Sequence, residues 1–251
     1  MDEPLPPVAG KAAGVPTPPW LQPERAPRRI RVPLSQETVV DAALALITEE
    51  GLDRLTMRRV SDRLEVSPGA LYAHVRNKEE LLQLTLDRVM GELSLPEPEP
   101  GRWAEQVKEF ARATRALLSR YPAVAQMSFG QIPSGPNAVV VFEGLLAILT
   151  AGGLSGRDAA YAAELVAGYV KSAVFEASVW READAQGASV EQRLEQARAY
   201  LSALPAERFP NLTTLAGPMY DASPGDRFEF GLDVLVGGLT RLTGPASDPA
   251  G

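Results

Sequence analysis

The sequence predicts an all-α protein, with a small N-terminal domain that contains a helix-turn-helix and a larger helical domain after it. Three observations carry this reading. Apolar residues recur at spacings of three and four through most of the chain. No alternating apolar–polar run is long enough to make a useful strand. A proline-rich breaker, LPEPEPG at residues 95–101, divides the helical segments into two groups.

Residues 1–33 hold many of the 22 prolines and show no helical period, so a disordered arm is expected there. Its arginines at 25, 28, 29 and 31 read as solvated linker charge, with a DNA minor-groove arm as the alternative. The first helix starts at Ser35, a residue suited to the N-cap. Val40, Ala43, Leu44 and Ile47 form its apolar face, and Gly51 ends it with Leu52 behind as the apolar contact. Thr56 caps a second short helix carrying Val60 and Leu64. Ser67 caps a third, with Pro68 at its first position, where a missing N–H costs nothing. Leu71 and Val75 give that helix its buried stripe. A fourth helix runs from about Lys78 to about Leu93, with Leu81, Leu82, Thr85, Leu86 and Val89 inward. Residues 34–94 are thus one domain.

Beyond the breaker, helices are expected at about 102–119, 122–128, 136–151, 156–186, 189–203 and 225–242. They make a second domain over 95–244, followed by a tail at 245–251. The segment PAERFPNLTTLAGPMYDASP, residues 205–224, is expected to be a loop.

Two short helices joined by a tight turn can present the second one end-on to the major groove, if its outer face is small or polar. Pro68, Gly69 and Ala70 are small enough for that approach. Leu71 and Val75 take the inner face, so Tyr72 and His74 point outward. Lys78 opens the next helix, where the positive end of the helix dipole also attracts phosphate. The net charge of −7 looks unfavourable for DNA, but its distribution is not. Residues 54–78 carry six basic side chains (Arg54, Arg58, Arg59, Arg63, Arg76 and Lys78) against two acids. A local patch is what matters, because distant charge is screened within about 8–10 Å.

The stretch LTMRRVSDRLEVSPGALYAHVRNKEELL, residues 55–82, resembles the DNA-binding motif of the TetR family of transcriptional regulators, a similarity that covers about 34–93. FEFGLDVLVGGLTRL, residues 228–242, resembles the last helix of a tetracycline-repressor-like C-terminal domain. The resemblance implies a ligand-responsive, cytoplasmic regulator. It would bind a palindromic double-stranded DNA operator as a homodimer and let go when a small organic effector binds. A ligand-dependent activator and a corepressor-requiring regulator stay open, because the sign of coupling depends on differential contacts in two states. By position, the resemblance makes Arg58 a base-reading residue and places Pro68 and Ala70 at base-facing positions. It makes Tyr72, His74 and Lys78 backbone contacts, with Thr56, Arg59, Ser67 and Gly69 completing the DNA-binding set. Glu65 stands where most members have glycine, at a helix end that favours positive φ. Ala73 replaces a large aromatic residue of close relatives.

Other function classes find little support. An enzyme would need a nucleophile–base pair or a metal cluster. There is no cysteine, and the one histidine, His74, lies inside the DNA motif. No cofactor and no metal are expected. The N-terminus has no secretory signature. The most apolar stretch, 138–154, contains Glu143 and falls short of the roughly 20 apolar residues of a membrane-spanning helix.

In the second domain Trp103, Phe110, Met127, Phe129, Phe142, Tyr169, Phe175 and Trp180 are core residues by default. The resemblance implies that some of them line an effector cavity: Trp103, Phe110, Met127, Phe129, Phe142, Tyr169 and Phe175 are the candidates, with Gln131 and Asn137 as polar anchors. Helix 156–186 is rich in alanine, so neighbours can approach it closely on two sides, as a helix bordering both pocket and dimer interface requires. On 225–242, Phe228, Leu232, Leu235, Val236 and Leu239 make an apolar stripe that needs a partner. An intersubunit four-helix bundle is the arrangement the resemblance implies.

Overall fold

Helix signals in the sequence translate directly into structure. The computed structural model describes residues 33–128, 134–185, 187, 189–221 and 223–243, and among these it contains helices and no strand. The arm up to residue 32, Phe129, Gln131 and the tail lie outside the described residues.

Helix α1 spans Gln36–Glu50. The Ser35 hydroxyl accepts from the Thr38 N–H at 3.2 Å and Thr38 reaches back to the Ser35 N–H, a reciprocal pair that satisfies otherwise orphaned groups. Gly51 closes the helix at φ 89°, a left-handed position open to glycine. Short helices α2 (Met57–Leu64) and α3 (Pro68–Leu71) follow, then α4 (Lys78–Met90), which stops short of the expected Leu93. Val39, Ala43, Ile47, Leu55, Val60, Leu71, Val75 and Leu81 are buried as the core of these four helices.

The later helices are α5 (Trp103–Arg120), α6 (Pro122–Met127), α7 (Pro136–Ala151), α8 (Gly156–Ala185), α9 (Val190–Ser202), α10 (Pro210–Asp221) and α11 (Pro224–Leu239). Helix α8 is central and packs against α5, α6, α7, α9 and α11. Its buried Ala159, Ala162 and Ala163 allow that close approach. The breaker at 95–101 interrupts the helices but not the packing, because α4 lies against α6 and α7.

Two expectations need correction. The segment 205–224 is not a loop: α10 occupies most of it and pairs with α9. Leu212, Leu215, Ala216 and Met219 have the helical spacing, and Pro218 lies inside the helix at the cost of one backbone hydrogen bond. The stripe on α11 is also already used. Phe228, Leu232, Val236 and Leu239 are buried in the chain's own core with α5 and α8, and Leu235 packs beside them. The open face of α11 is instead the one bearing Phe230 and Val234. A glycine makes the inner contact: a side chain at Gly231 would collide with the Tyr169 phenol, which donates to the Phe228 carbonyl at 2.9 Å.

Candidate DNA-binding and effector sites

The helix-turn-helix is built from local signals. The Thr56 hydroxyl accepts from the Arg59 N–H at 3.2 Å and fixes the start of α2. The helix ends at Glu65 with φ 55°, the one positive-φ residue other than glycine among those described. That conformation costs a side-chain residue about 1–2 kcal/mol. It lets the Val66 N–H turn back to the Ser61 carbonyl at 3.0 Å, which makes the tight corner. Ser67 departs from expectation: its side chain forms no cap bond, and the Ala70 N–H goes to the Ser67 carbonyl at 2.9 Å instead.

Leu71 and Val75 are buried and anchor α3 from below. Ser67, Pro68, Gly69 and Tyr72 are exposed, while Ala70 and His74 are half-buried. The His74 carbonyl accepts from Gln36 Nε2 at 3.2 Å, which ties the end of this unit to α1. Asn77 caps α4, its Oδ1 accepting from the Glu80 N–H at 2.8 Å, and Lys78 is the exposed first residue.

Not all of the basic patch is available. Arg63 forms a two-pronged bond to Glu49, with both contacts at 2.7 Å. That bond raises the guanidinium pKa and lowers the carboxyl pKa. Arg59 pairs with Glu50, and Arg76 pairs with Glu80. Arg58 is 86% exposed and reaches Asp62 only at 4.0 Å. Arg54 and Lys78 make no ion pair among the described residues. The charge left facing solvent is therefore at Arg54, Arg58 and Lys78. Arg54 was counted in the basic patch but not placed in the DNA-binding set, since nothing local distinguishes it from its neighbours.

The other end of α4 enters a cavity of about 620 Å³ walled by α4, α5, α7 and α8. Leu86, Met90, Phe110, Val141, Phe142 and Leu145 supply its apolar surface. Asp87, buried in this wall, accepts from Asn137 Nδ2 at 3.0 Å and from the Ala138 N–H at 2.9 Å. It thereby fastens α4 to the first turn of α7. The fit is close enough that a side chain at Gly135 would overlap Asp87.

Comparison with known proteins finds matches to both parts of the chain. Residues 39–84 match the family described as bacterial regulatory proteins, tetR family, and residues 95–243 match the tetracyclin repressor-like C-terminal domain. An HTH-type transcriptional regulator of Saccharopolyspora erythraea is 33% identical over 92% of this chain and 94% of its own length. The chain belongs to the TetR family. The HTH-type transcriptional repressor DrrR1 of Streptomyces coeruleorubidus is 30% identical over 89% of this chain and 83% of its own. The apo structure of ActR from Streptomyces coelicolor superposes with a TM-score of 0.78 at 39% identity, covering 86% of this chain and 99% of ActR. ActR has also been solved in complex with actinorhodin. The TetR-family protein described here is thus a DNA-binding, ligand-responsive regulator and not an enzyme. Among its described residues no helix is long and apolar enough to cross a membrane.

Of the cavity candidates in this TetR regulator, Phe110 and Phe142 are brought together in the wall. Trp103 is buried elsewhere, against Gly152, because it opens α5 far from the cavity-facing turns. Tyr169 is turned toward α11, where its ring stacks on Phe228 with centroids 5.4 Å apart. Phe175 lies in a separate, more polar cleft beside Gly51 and Tyr121. Met127 and Trp180 do not line the cavity, and Asn137 serves Asp87 rather than the cavity itself. The polar lining residues Asp87, Thr114 and Lys171 were missed. A signal existed for Thr114, which sits midway between Phe110 and Leu118 on one face of α5. Glu164, Ala167, Gly168 and Lys171 likewise share one face of α8.

Proposed function

We propose that this regulator is a homodimeric repressor that binds an inverted-repeat operator and releases it when a largely apolar organic effector fills the cavity. One observation carries the reading. Helix α4 presents Lys78 at its N-terminus and contributes Gln83, Leu86, Asp87 and Met90 to the cavity wall near its other end. Anything that reshapes the cavity acts on the element that seats the helix-turn-helix. Arg58 reads a base, Pro68, Gly69 and Ala70 let α3 approach the groove floor, and Tyr72, His74 and Lys78 hold the backbone. Thr56, Arg59 and Ser67 shape that unit. Relatives support the sign of the response: one is described as a transcriptional repressor, and ActR is seen with a bound small molecule. Effector capture is metal-free on this reading: with no cysteine and no histidine beyond His74, only oxygen groups could hold a metal, and Mg²⁺ on such groups keeps most of its waters and rarely sits in an all-protein cage. The protein works in the cytoplasm, where its DNA is.

The test is to select DNA from a random pool and footprint the product. An inverted repeat with half-sites about 34–36 Å apart is expected. A lone half-site bound by a monomer overturns the reading. Effectors are then titrated against the complex with a strong chelator present. Release that vanishes with chelator and returns with Mg²⁺ would refute metal-free capture.

A further inference from the structure

Lys171, on α8, is half-buried in the cavity wall, where its Nζ donates to the Ser128 carbonyl at 3.0 Å. Among the described residues no carboxylate pairs with it, and the five residues after Ser128, FGQIP, contain no acid. The two carboxylates in the same wall do not compensate it. Asp87 is occupied by Asn137 and the Ala138 N–H. Glu164 is exposed and stands two helical turns away, about 10 Å along the axis. An ammonium partly removed from water and facing only a neutral acceptor is poorly compensated. Burial accordingly lowers its pKa.

A second polar residue belongs to the same wall, with its hydroxyl oxygen closed off from the open space. Thr114, on α5, is 6% exposed, and its Oγ1 is the one buried side-chain polar atom without a hydrogen-bond partner among the described residues. Buried hydroxyls without a partner are rare in folded proteins. Between these groups the wall is apolar and carries the rings of Phe110 and Phe142.

We propose that the effector is an aromatic acid whose anionic group is received by Lys171. The inference rests on the effector reading above and names the chemistry of that same cavity. The anion restores the missing charge partner through a charge-assisted hydrogen bond, and the aromatic body fills the apolar space between.

The experiment uses the full chain and two probes, anthraquinone-2-carboxylate and its methyl ester, titrated by calorimetry. The acid is expected to bind at least about tenfold more tightly than the ester, as charged hydrogen bonds outweigh neutral ones. Lys171→Met should bring the acid down to the level of the ester. An ester that binds as tightly as the acid overturns the proposal, and so does an acid preference that survives Lys171→Met. The comparison on the unaltered protein decides even if a variant fails to fold. Binding and operator release by the ester alone would remove the acid assignment and keep the effector reading. Failure of both probes to bind would also remove the acid assignment.

Discussion

Arg58 and Arg59 are neighbours in sequence and opposites in circumstance. The first is almost fully in solvent, while the second is half-buried and bound to Glu50. Arg58→Ala is expected to weaken binding to the selected operator by about 1–3 kcal/mol and to relax base preference at one position in each half-site. Lys78→Ala should weaken operator and random DNA alike and reduce the slope of log affinity against log salt by about one. Titrations on both DNAs over a salt series separate the two, and equal losses for Arg58→Ala on both DNAs would show that it does not read a base. The exposure of Tyr72 was legible in the sequence, because it follows from which positions the buried Leu71 and Val75 occupy, whereas Arg58 was placed by the family resemblance and Lys78 by its position at the start of a helix. The fate of Arg59 and Arg63 was not, because their partners Glu49 and Glu50 lie on another helix. Local spacing carries no record of that contact.

Helices with a clean period and a capping residue were read to within a few residues, α1 with Ser35 and Gly51 being the clearest case. Helix α10 was not, because prolines at 210 and 218 and a glycine at 217 hid an apolar repeat that packing against α9 makes decisive. Pro218→Ala should restore one backbone hydrogen bond and stabilise the protein by about 1–3 kcal/mol in chemical denaturation. A second element-level tie joins α5 to α11, through Arg112 with Glu229 at 2.8 Å and Lys108 with Asp233 at 2.8 Å. The Arg112 hydrogen bond lowers the Glu229 pKa from its ordinary value of 4.5. Its stabilisation is complete above that value and fades as pH falls through the lowered one. Glu229→Gln should therefore lower the melting temperature modestly at pH 7, since the pair is half-exposed. The gap between variant and parent should close in acid, below the ordinary carboxylate range. A gap that persists there would assign the loss to packing instead.

At the scale of the molecule, α8 and α11 each leave large apolar residues open: Tyr161 and Leu165 on one, Phe230 and Val234 on the other. Such residues need covering, and a second copy of the chain would cover them with the same surface. Val234 is 60% exposed in the single chain, so Val234→Glu has little effect on the fold of one subunit. It should yield monomers in sedimentation and lose inverted-repeat binding, whereas a variant that stays dimeric would place the interface elsewhere. The all-helical class and the helix-turn-helix could be read from one sequence. Which stripe of α11 faces inward could not, since both of its faces carry apolar residues and only packing against α5 and α8 chooses between them.

The bridge that α4 makes between Lys78 and Asp87 has a thermodynamic corollary for how the switch is thrown in a cell. Coupling is reciprocal: by whatever factor effector weakens the operator complex, operator weakens effector binding. Protein free of DNA is then the better effector receptor, and protein seated on its operator the poorer one. Free copies fill first and act as a sink. The response threshold thus rises with the number of regulator molecules present, and its sharpness is set by abundance as much as by affinity.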